Sequence, residues 1–256
     1  MERGAAHGAA LKNQFERGDQ RGDQGDGLRF LKAVLGLFLF CLGPSSVAQS
    51  EYPVDVELVL AIDSSASVDR NEFDLQLRGL ALAFNDPDVQ QAIKNGAFQA
   101  IAVTLIEWSS VDRQAVNIPW RLINSVESAE AFAADIASSA RMVDTGATSI
   151  SAAIAYSVPL FAVNGFAGQR QVIDISGDGF NNSGRLMQEG REIASNARVT
   201  VNGLAIQNQV LDLGGYFEET VITGPGAFVI TAADYEDYIH AIRRKLLREI
   251  KAAPIS

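Results

Sequence analysis

An acid and two hydroxyl side chains stand at alternate positions just after a strongly apolar run. The run covers residues 58–62, and Asp63, Ser65 and Ser67 follow it. Because the run is apolar on both alternating faces, it predicts a central strand of a parallel sheet. Ligands of open α/β sheets bind beyond the carboxyl ends of such strands. The three side chains can therefore converge on a cation, and an oxygen-only set suits magnesium, manganese or calcium rather than zinc or copper.

Two further loops carry polar side chains where an α/β sheet would bring them to the same edge. Thr148 lies at the start of a predicted helix, and Asp178 follows a second predicted strand. Each feature has a plain structural alternative, because the Asp63 loop and Thr148 suit helix caps and the glycines around Asp178 suit a tight turn. Neither common glycine-rich phosphate-binding motif occurs in the sequence. The three loops together favour one shared cation site.

Strand and helix patterns alternate from residue 56 onward. Strands are predicted at residues 56–62, 100–108, 114–118, 171–176, 199–206 and 227–230, with Pro119 ending the third. Helices are predicted from a capping box at Asp69 and Glu72 to Phe84, and at 128–140, 150–161, 186–196 and 232–250. This alternation predicts one doubly wound, mostly parallel sheet with helices on both faces. The first and fourth strands should be neighbours at its centre, because only there do their loop acids meet.

These motifs resemble the von Willebrand factor type A domain and its metal-ion-dependent adhesion site (MIDAS). The Asp-x-Ser-x-Ser pattern matches Asp63, Ser65 and Ser67, the threonine loop matches residues 146–154, and the second acid matches Asp178. The likeness covers roughly residues 56–250. The chain more closely resembles a bacterial group of exported proteins of unknown function, and this likeness rests on residues 175–182, 201–206 and 224–228. The resemblance implies a Rossmann-like fold with a six-stranded sheet.

The same resemblance implies roles for the five matched residues. Ser65, Ser67 and, in the ligand-bound state, Thr148 would coordinate the metal directly, whereas Asp63 and Asp178 would act mostly through water. Magnesium suits such a site because it keeps several waters. An open position would then accept the acidic side chain of a partner protein.

One position departs from the family pattern. The residue before the second acid is commonly threonine, and here it is Gly177. The change removes a hydroxyl beside the metal ligand and is expected to affect metal affinity.

The first 48 residues differ from the rest of the chain. Residues 1–28 are polar and glycine-rich, Arg29 and Lys32 precede an apolar run at 33–42, and small residues follow up to Ala48. This order predicts a secretory signal peptide cleaved after Ala48, and hence a periplasmic or secreted domain of residues 49–256. The run is shorter than the ~20 apolar residues of a membrane span, so we expect no stable membrane insertion after cleavage.

Composition narrows the possible functions of residues 49–256. They contain 15 basic and 26 acidic residues, a formal charge of −11, which argues against nucleic acid or an anionic membrane as partner. Cys41 lies in the predicted signal peptide, and His240 is the single histidine after it. This composition therefore disfavours catalytic sites of the serine–histidine or cysteine–histidine type and metal sites built from several histidines.

Three functions remain open. The favoured one is a metal-dependent protein-binding module, and no catalytic residue or organic cofactor is assigned. The second is a metal-dependent hydrolase, in which Glu107 or Asp69 would be the general base. The third is a structural domain with a weakened metal site, for which Gly177 gives some reason.

Overall fold

The computed structural model describes residues 51–251, so the predicted signal peptide lies outside the described part of the chain. Eight strands occur in this part. They are β1 (Tyr52–Val54), β2 (Val56–Asp63), β3 (Ile101–Trp108), β4 (Gln114–Ile123), β5 (Phe166–Gly168), β6 (Gln171–Gly177), β7 (Thr200–Ile206) and β8 (Val229–Ala232).

Six of these strands form one sheet in the order β4-β3-β2-β6-β7-β8. All neighbours in it are parallel except the edge strand β4, which runs antiparallel to β3. The predicted central position of β2, with β6 beside it, is confirmed. β1 and β5 form a separate two-stranded parallel pair that the sequence reasoning did not predict.

Seven α-helices flank the sheet within residues 51–251. They are α1 (Arg70–Phe84), α2 (Pro87–Lys94), α3 (Val126–Ala137), α4 (Ile150–Ser157), α5 (Met187–Asn196), α6 (Leu213–Tyr216) and α7 (Tyr235–Lys251). None of the helices described is both long enough and apolar enough to cross a membrane.

Strand β2 supplies side chains to both layers of the core. Leu58 and Leu60 pack in a cluster with α1, α2, α3 and α7, whereas Val59 and Ala61 pack in a second cluster with α4, α5 and α6. Successive side chains of a strand point to opposite faces, so a strand covered on both sides must be apolar throughout. The continuous apolar run that identified this strand is therefore a direct consequence of its central position.

Two predicted boundaries are wrong at prolines. Strand β4, predicted to end at Pro119, continues through it to Ile123. Pro119 lies at a register shift of this edge strand, where Thr104 Oγ1 donates to the Ile118 carbonyl over 2.7 Å. The predicted helix 150–161 is α-helical only to Ser157 and continues as a 3₁₀ helix containing Pro159. A proline removes a hydrogen-bond donor, and both places tolerate that loss.

A buried charge network ties α7 to the sheet. Lys245 Nζ lies 2.5 Å from Asp174 Oδ1 of β6 and 2.9 Å from Glu249 Oε1 one helical turn later. Asn202 of β7 donates to the same Glu249 oxygen over 3.0 Å. All four residues are buried. Burial raises the pKa of Asp174, repulsion from Glu249 adds to the shift, and Lys245 opposes it.

This network should make stability depend on pH. Native Asp174 holds its proton at pH values where an unfolded aspartate has lost it, so its contribution to stability falls as pH rises towards neutrality. Between pH 5 and pH 7.5, the free energy of unfolding measured in urea should fall by at least about 1 kcal/mol more for the wild type than for Asp174→Asn. The exposed Asp135→Asn variant is the control and should follow the wild type. Equal pH slopes for all three proteins would contradict the expectation.

Candidate metal centre

The loop after β2 holds the first acid inside the protein. Asp63 ends the strand and is fully buried. Its Oδ1 accepts a hydrogen bond of 2.7 Å from the Ser65 amide, and its carbonyl accepts one of 3.0 Å from Gln76 Nε2 on α1. The chain therefore turns tightly around the carboxylate and carries the following serines back towards it.

The second acid joins this loop from the neighbouring strand. Asp178 follows β6 and is buried, and its Oδ1 accepts a hydrogen bond of 2.7 Å from Ser67 Oγ. The hydroxyl oxygens of Ser65 and Ser67 lie 3.1 Å apart. Two carboxylates and two hydroxyls thus meet at the carboxyl ends of β2 and β6, as the spacing of the motif predicts.

Each of the two carboxylates keeps one oxygen without a hydrogen-bond partner. Among residues 51–251, Asp63 Oδ2 and Asp178 Oδ2 are buried and unpaired. Burial raises the pKa of Asp63 to about 7, and repulsion from Asp178 adds to the shift. Unpaired buried carboxylate oxygens are costly, and a divalent cation bound between them would remove that cost. The donor set of carboxylates and hydroxyls fits a hard cation.

The described residues contain no group of three or more His, Cys, Asp and Glu side chains arranged around one point. A metal at this place would have two carboxylates near it and would otherwise depend on hydroxyls and water. Two carboxylates would balance the formal charge of a divalent cation, and a coordination position occupied by water could be taken by an oxygen of a further ligand.

Thr148 lies across the cavity from these residues. A Cβ built on Gly179 would be 3.8 Å from Thr148 Oγ1, so the threonine borders the Asp178 loop. Its side chain does not cap α4, whose N-cap is Ser149 and has no side-chain capping bond. Ser67, Thr148 and Asp178 line the same cavity of about 430 Å³. The structure therefore brings all five predicted site residues to one place.

Two asparagines hold the threonine loop against the Asp178 loop. The side-chain oxygen Oδ1 of Asn182 accepts from the backbone N–H of Thr148 over 2.9 Å. The backbone N–H of Asn182 donates to the Thr148 carbonyl, also over 2.9 Å. Asn181 Oδ1 accepts from the Ser151 amide over 3.1 Å. These contacts join the two loops across the candidate site.

The space beside Gly177 is already filled. A Cβ at this position would lie 3.2 Å from Asp63 Oδ2 and 3.4 Å from the ring of Trp108. Both neighbours are fully buried, so a side chain here would press on the first acid and on the core. A threonine side chain at this position would therefore press on both Trp108 and Asp63.

Glu107 and Asp69, the two candidate bases, both make structural hydrogen bonds. Glu107 is fully buried, and its Oε2 accepts from the amides of Met142 over 2.8 Å and Val143 over 3.1 Å. Its other oxygen accepts from Asn117 Nδ2. Asp69 caps α1 by accepting from the Glu72 amide over 2.8 Å. Neither carboxylate is placed as a free base at the cavity.

Arg141 connects the loop anchored by Glu107 to the Asp63 loop. Its Nε donates to Ser64 Oγ over 2.6 Å, and one terminal nitrogen donates to the Val68 carbonyl over 3.0 Å. The guanidinium lies 5.1 Å from the centre of the Phe73 ring. Sequence reasoning did not identify this residue, because nothing local to residue 141 indicates a contact 77 positions away. Arg141 thus fixes the loop that carries Ser65 and Ser67.

Replacing Arg141 should make the loop that carries Ser65 and Ser67 more mobile than the rest of the domain. In Arg141→Met the hydrogen bonds to Ser64, Ser65 and Val68 are lost while the apolar stem remains, so amide hydrogen exchange in residues 64–68 should rise by about tenfold or more. Arg121→Met is the matched control, because Arg121 makes only an exposed ion pair of 3.3 Å with Asp135. Mass-spectrometric exchange on both variants measures the difference. If residues 64–68 are as well protected from exchange in Arg141→Met as in the wild type, Arg141 is not needed to hold this loop.

Solved structures with the same architecture are von Willebrand factor type A domains. Proximal thread matrix protein 1 from the mussel byssus aligns with a TM-score of 0.57 and 13% identity over 78% of this chain and 48% of that one. A von Willebrand factor type A protein from Catenulispora acidiphila gives 0.52 and 14% over 77% and 43%. The PilB minor pilin from Streptococcus sanguinis gives 0.53 and 12% over 79% and 63%. The fold is therefore that of a von Willebrand factor type A domain, and the chain spans about half the length of the first two proteins.

The sequence places the chain in a narrower group. Residues 53–254 match the model of the family described as "Protein of unknown function (DUF1194)", and the chain belongs to that family. No curated protein matches it by sequence. A further structure of the mussel protein, with a TM-score of 0.51 and 15% identity, is described as having a zinc-occupied MIDAS motif.

Proposed function

We propose that this domain binds a partner protein through a divalent cation at the Asp63–Asp178 site. The observation that carries the proposal is the pair of buried carboxylate oxygens, one on each acid, that have no partner among the described residues. Ser65, Ser67 and Thr148 supply neutral oxygens around them. A bound cation would supply an electrophilic centre that attracts an acidic side chain of the partner.

The charge of the chain explains why such a site needs its metal. Residues 49–256 have a formal charge of −11, so an acidic partner is repelled over most of the surface. A bound cation would offset the charge of the two carboxylates and give the partner's acidic side chain a metal centre to coordinate. Pilus proteins among the structural neighbours, such as PilB, support a role in protein binding.

The two alternatives have less support from this geometry. A hydrolase needs a base near the bound water, and both Glu107 and Asp69 are engaged in structural hydrogen bonds. A structural domain would gain no stability from holding two buried carboxylates side by side, each with an unpaired oxygen. We therefore propose a binding module and not an enzyme.

Magnesium is the proposed cation, with manganese and calcium as alternatives. The zinc-occupied motif of the mussel protein makes zinc a necessary fourth metal in any titration. Zinc is disfavoured at this site because it usually takes nitrogen and sulfur ligands. Competition among the four ions identifies the preferred one.

Calorimetric titration of the metal-free protein tests the site directly. Asp63→Ala should abolish binding of the preferred cation, because it removes one of the two central carboxylates. Thr148→Ala should weaken binding much less, since the resemblance assigns Thr148 a direct bond mainly in the ligand-bound state. Glu130→Ala, an exposed acid on α3, is the control and should bind as the wild type does. Undiminished binding by Asp63→Ala would place the metal elsewhere.

Export is part of the proposal. The charged, apolar and small-residue segments of residues 29–48 motivate it, and they lie outside the described structure. N-terminal sequencing of protein recovered from the periplasm or medium should show a chain that begins at Gln49. A chain that stays in the cytoplasm with residues 29–48 intact would exclude the signal peptide.

A further inference from the structure

Several exposed apolar side chains lie in the loops at the same edge of the sheet as the candidate metal site. Five of the nine large hydrophobic residues exposed within the described chain lie in loops at the carboxyl edge of the main sheet. We call these five residues the apolar rim: Val111, Met142, Phe180, Leu186 and Leu211. Leu211 is the most exposed of the nine, at 92%. Apolar groups clustered at one place on a surface mark an interaction site more often than scattered ones do.

Part of the rim belongs to the metal cavity itself. Phe180 and Val210 line this cavity together with Thr148 and Asp178, and Leu211 directly follows Val210. A ligand carboxylate that reached the cation would therefore bring its neighbouring residues against these side chains. The polar centre and the apolar side of the cavity are parts of one surface.

The Phe180 side of the cavity is held in place. The Phe180 ring packs edge-on against Tyr216 with ring centres 4.7 Å apart. Tyr216 OH accepts a hydrogen bond of 3.1 Å from the Asn181 amide. The aromatic side chain is thus presented by a fixed loop and is 46% exposed. A preformed apolar surface can bind a side chain with little loss of conformational entropy.

We propose that the partner's acidic residue is flanked in sequence by a bulky apolar residue, which packs against Phe180, Val210 and Leu211. This inference rests on the proposed function, because the metal places the acid. A lipid surface fits less well, since the rim surrounds two buried carboxylates in a strongly acidic domain. A second copy of the chain and a membrane remain as outcomes that the experiment distinguishes.

Synthetic peptides of the form Gly-X-Asp-Y-Gly test the inference on the full chain loaded with its preferred cation. X and Y are each varied among serine, lysine, leucine and phenylalanine, and each peptide has an asparagine counterpart. Leucine or phenylalanine beside the aspartate should improve the dissociation constant by about tenfold over serine, because the apolar side chain is removed from water. Chelator and the change of aspartate to asparagine should both abolish binding.

Leu211→Ser supplies the site variant, and its high exposure predicts an undisturbed fold. It should lose the preference for apolar neighbours while keeping wild-type metal affinity. Val163→Ser is the control, because Val163 is 84% exposed in the segment that follows α4, at the opposite edge of the sheet. It should keep the preference.

Each contrary outcome identifies which proposal fails. Equal affinity for serine and apolar neighbours, with metal-dependent binding retained, overturns this inference and leaves the proposed function intact. Equal binding of aspartate and asparagine peptides overturns both. Leu211-dependent binding to phosphatidylcholine–phosphatidylglycerol vesicles, or Leu211-dependent dimerisation in sedimentation, overturns the inference in favour of a membrane or a second copy.

Discussion

The close approach of Asp63 and Asp178 inside the protein is the constraint on which the site depends. Two buried carboxylates repel each other and have lost much of their hydration, and the raised pKa of Asp63 reflects both effects. Their position is nevertheless fixed, because Asp63 ends β2 and Asp178 directly follows β6, and these two strands are parallel neighbours in the central sheet. The apolar packing of β2 on both faces supplies the stability against which this repulsion acts.

None of the three loops at the site is held by its own residues alone. Arg141 ties its loop to Ser64, Glu107 ties the same loop to β3, and Asn182 ties the threonine loop to the loop after β6. These contacts are side-chain hydrogen bonds to another loop, mostly to its backbone. Such bonds fix a loop whatever its exposed side chains are. The hydroxyl oxygens are therefore positioned before any ligand arrives, which lowers the entropic cost of binding one.

The fold and the central residues of the site were predictable because their signals are local. An apolar run followed by Asp63, and another followed by Asp178, indicates two parallel strands whose loops meet. The hydrogen bonds of Arg141 and Glu107 were not predictable, because their partners lie 35 or more positions away in the sequence. Pro119 was misread for a related reason: a bulge opposite Thr104 depends on the partner strand, which a single segment does not show.

Two pairs of neighbouring buried acids, Asp174 with Glu249 and Asp63 with Asp178, have different surroundings in this domain. Asp174 and Glu249 share the ammonium group of Lys245, so their charge is balanced by a side chain of the protein itself. Arg141 lies close to the Asp63 loop, but its hydrogen bonds go to a hydroxyl and to backbone carbonyls. Within residues 51–251, Asp63 forms no ion pair of this kind. The fold thus buries an ammonium group against one acid pair and none against the other, and the cation proposed at Asp63 and Asp178 would supply the positive charge that the second pair lacks.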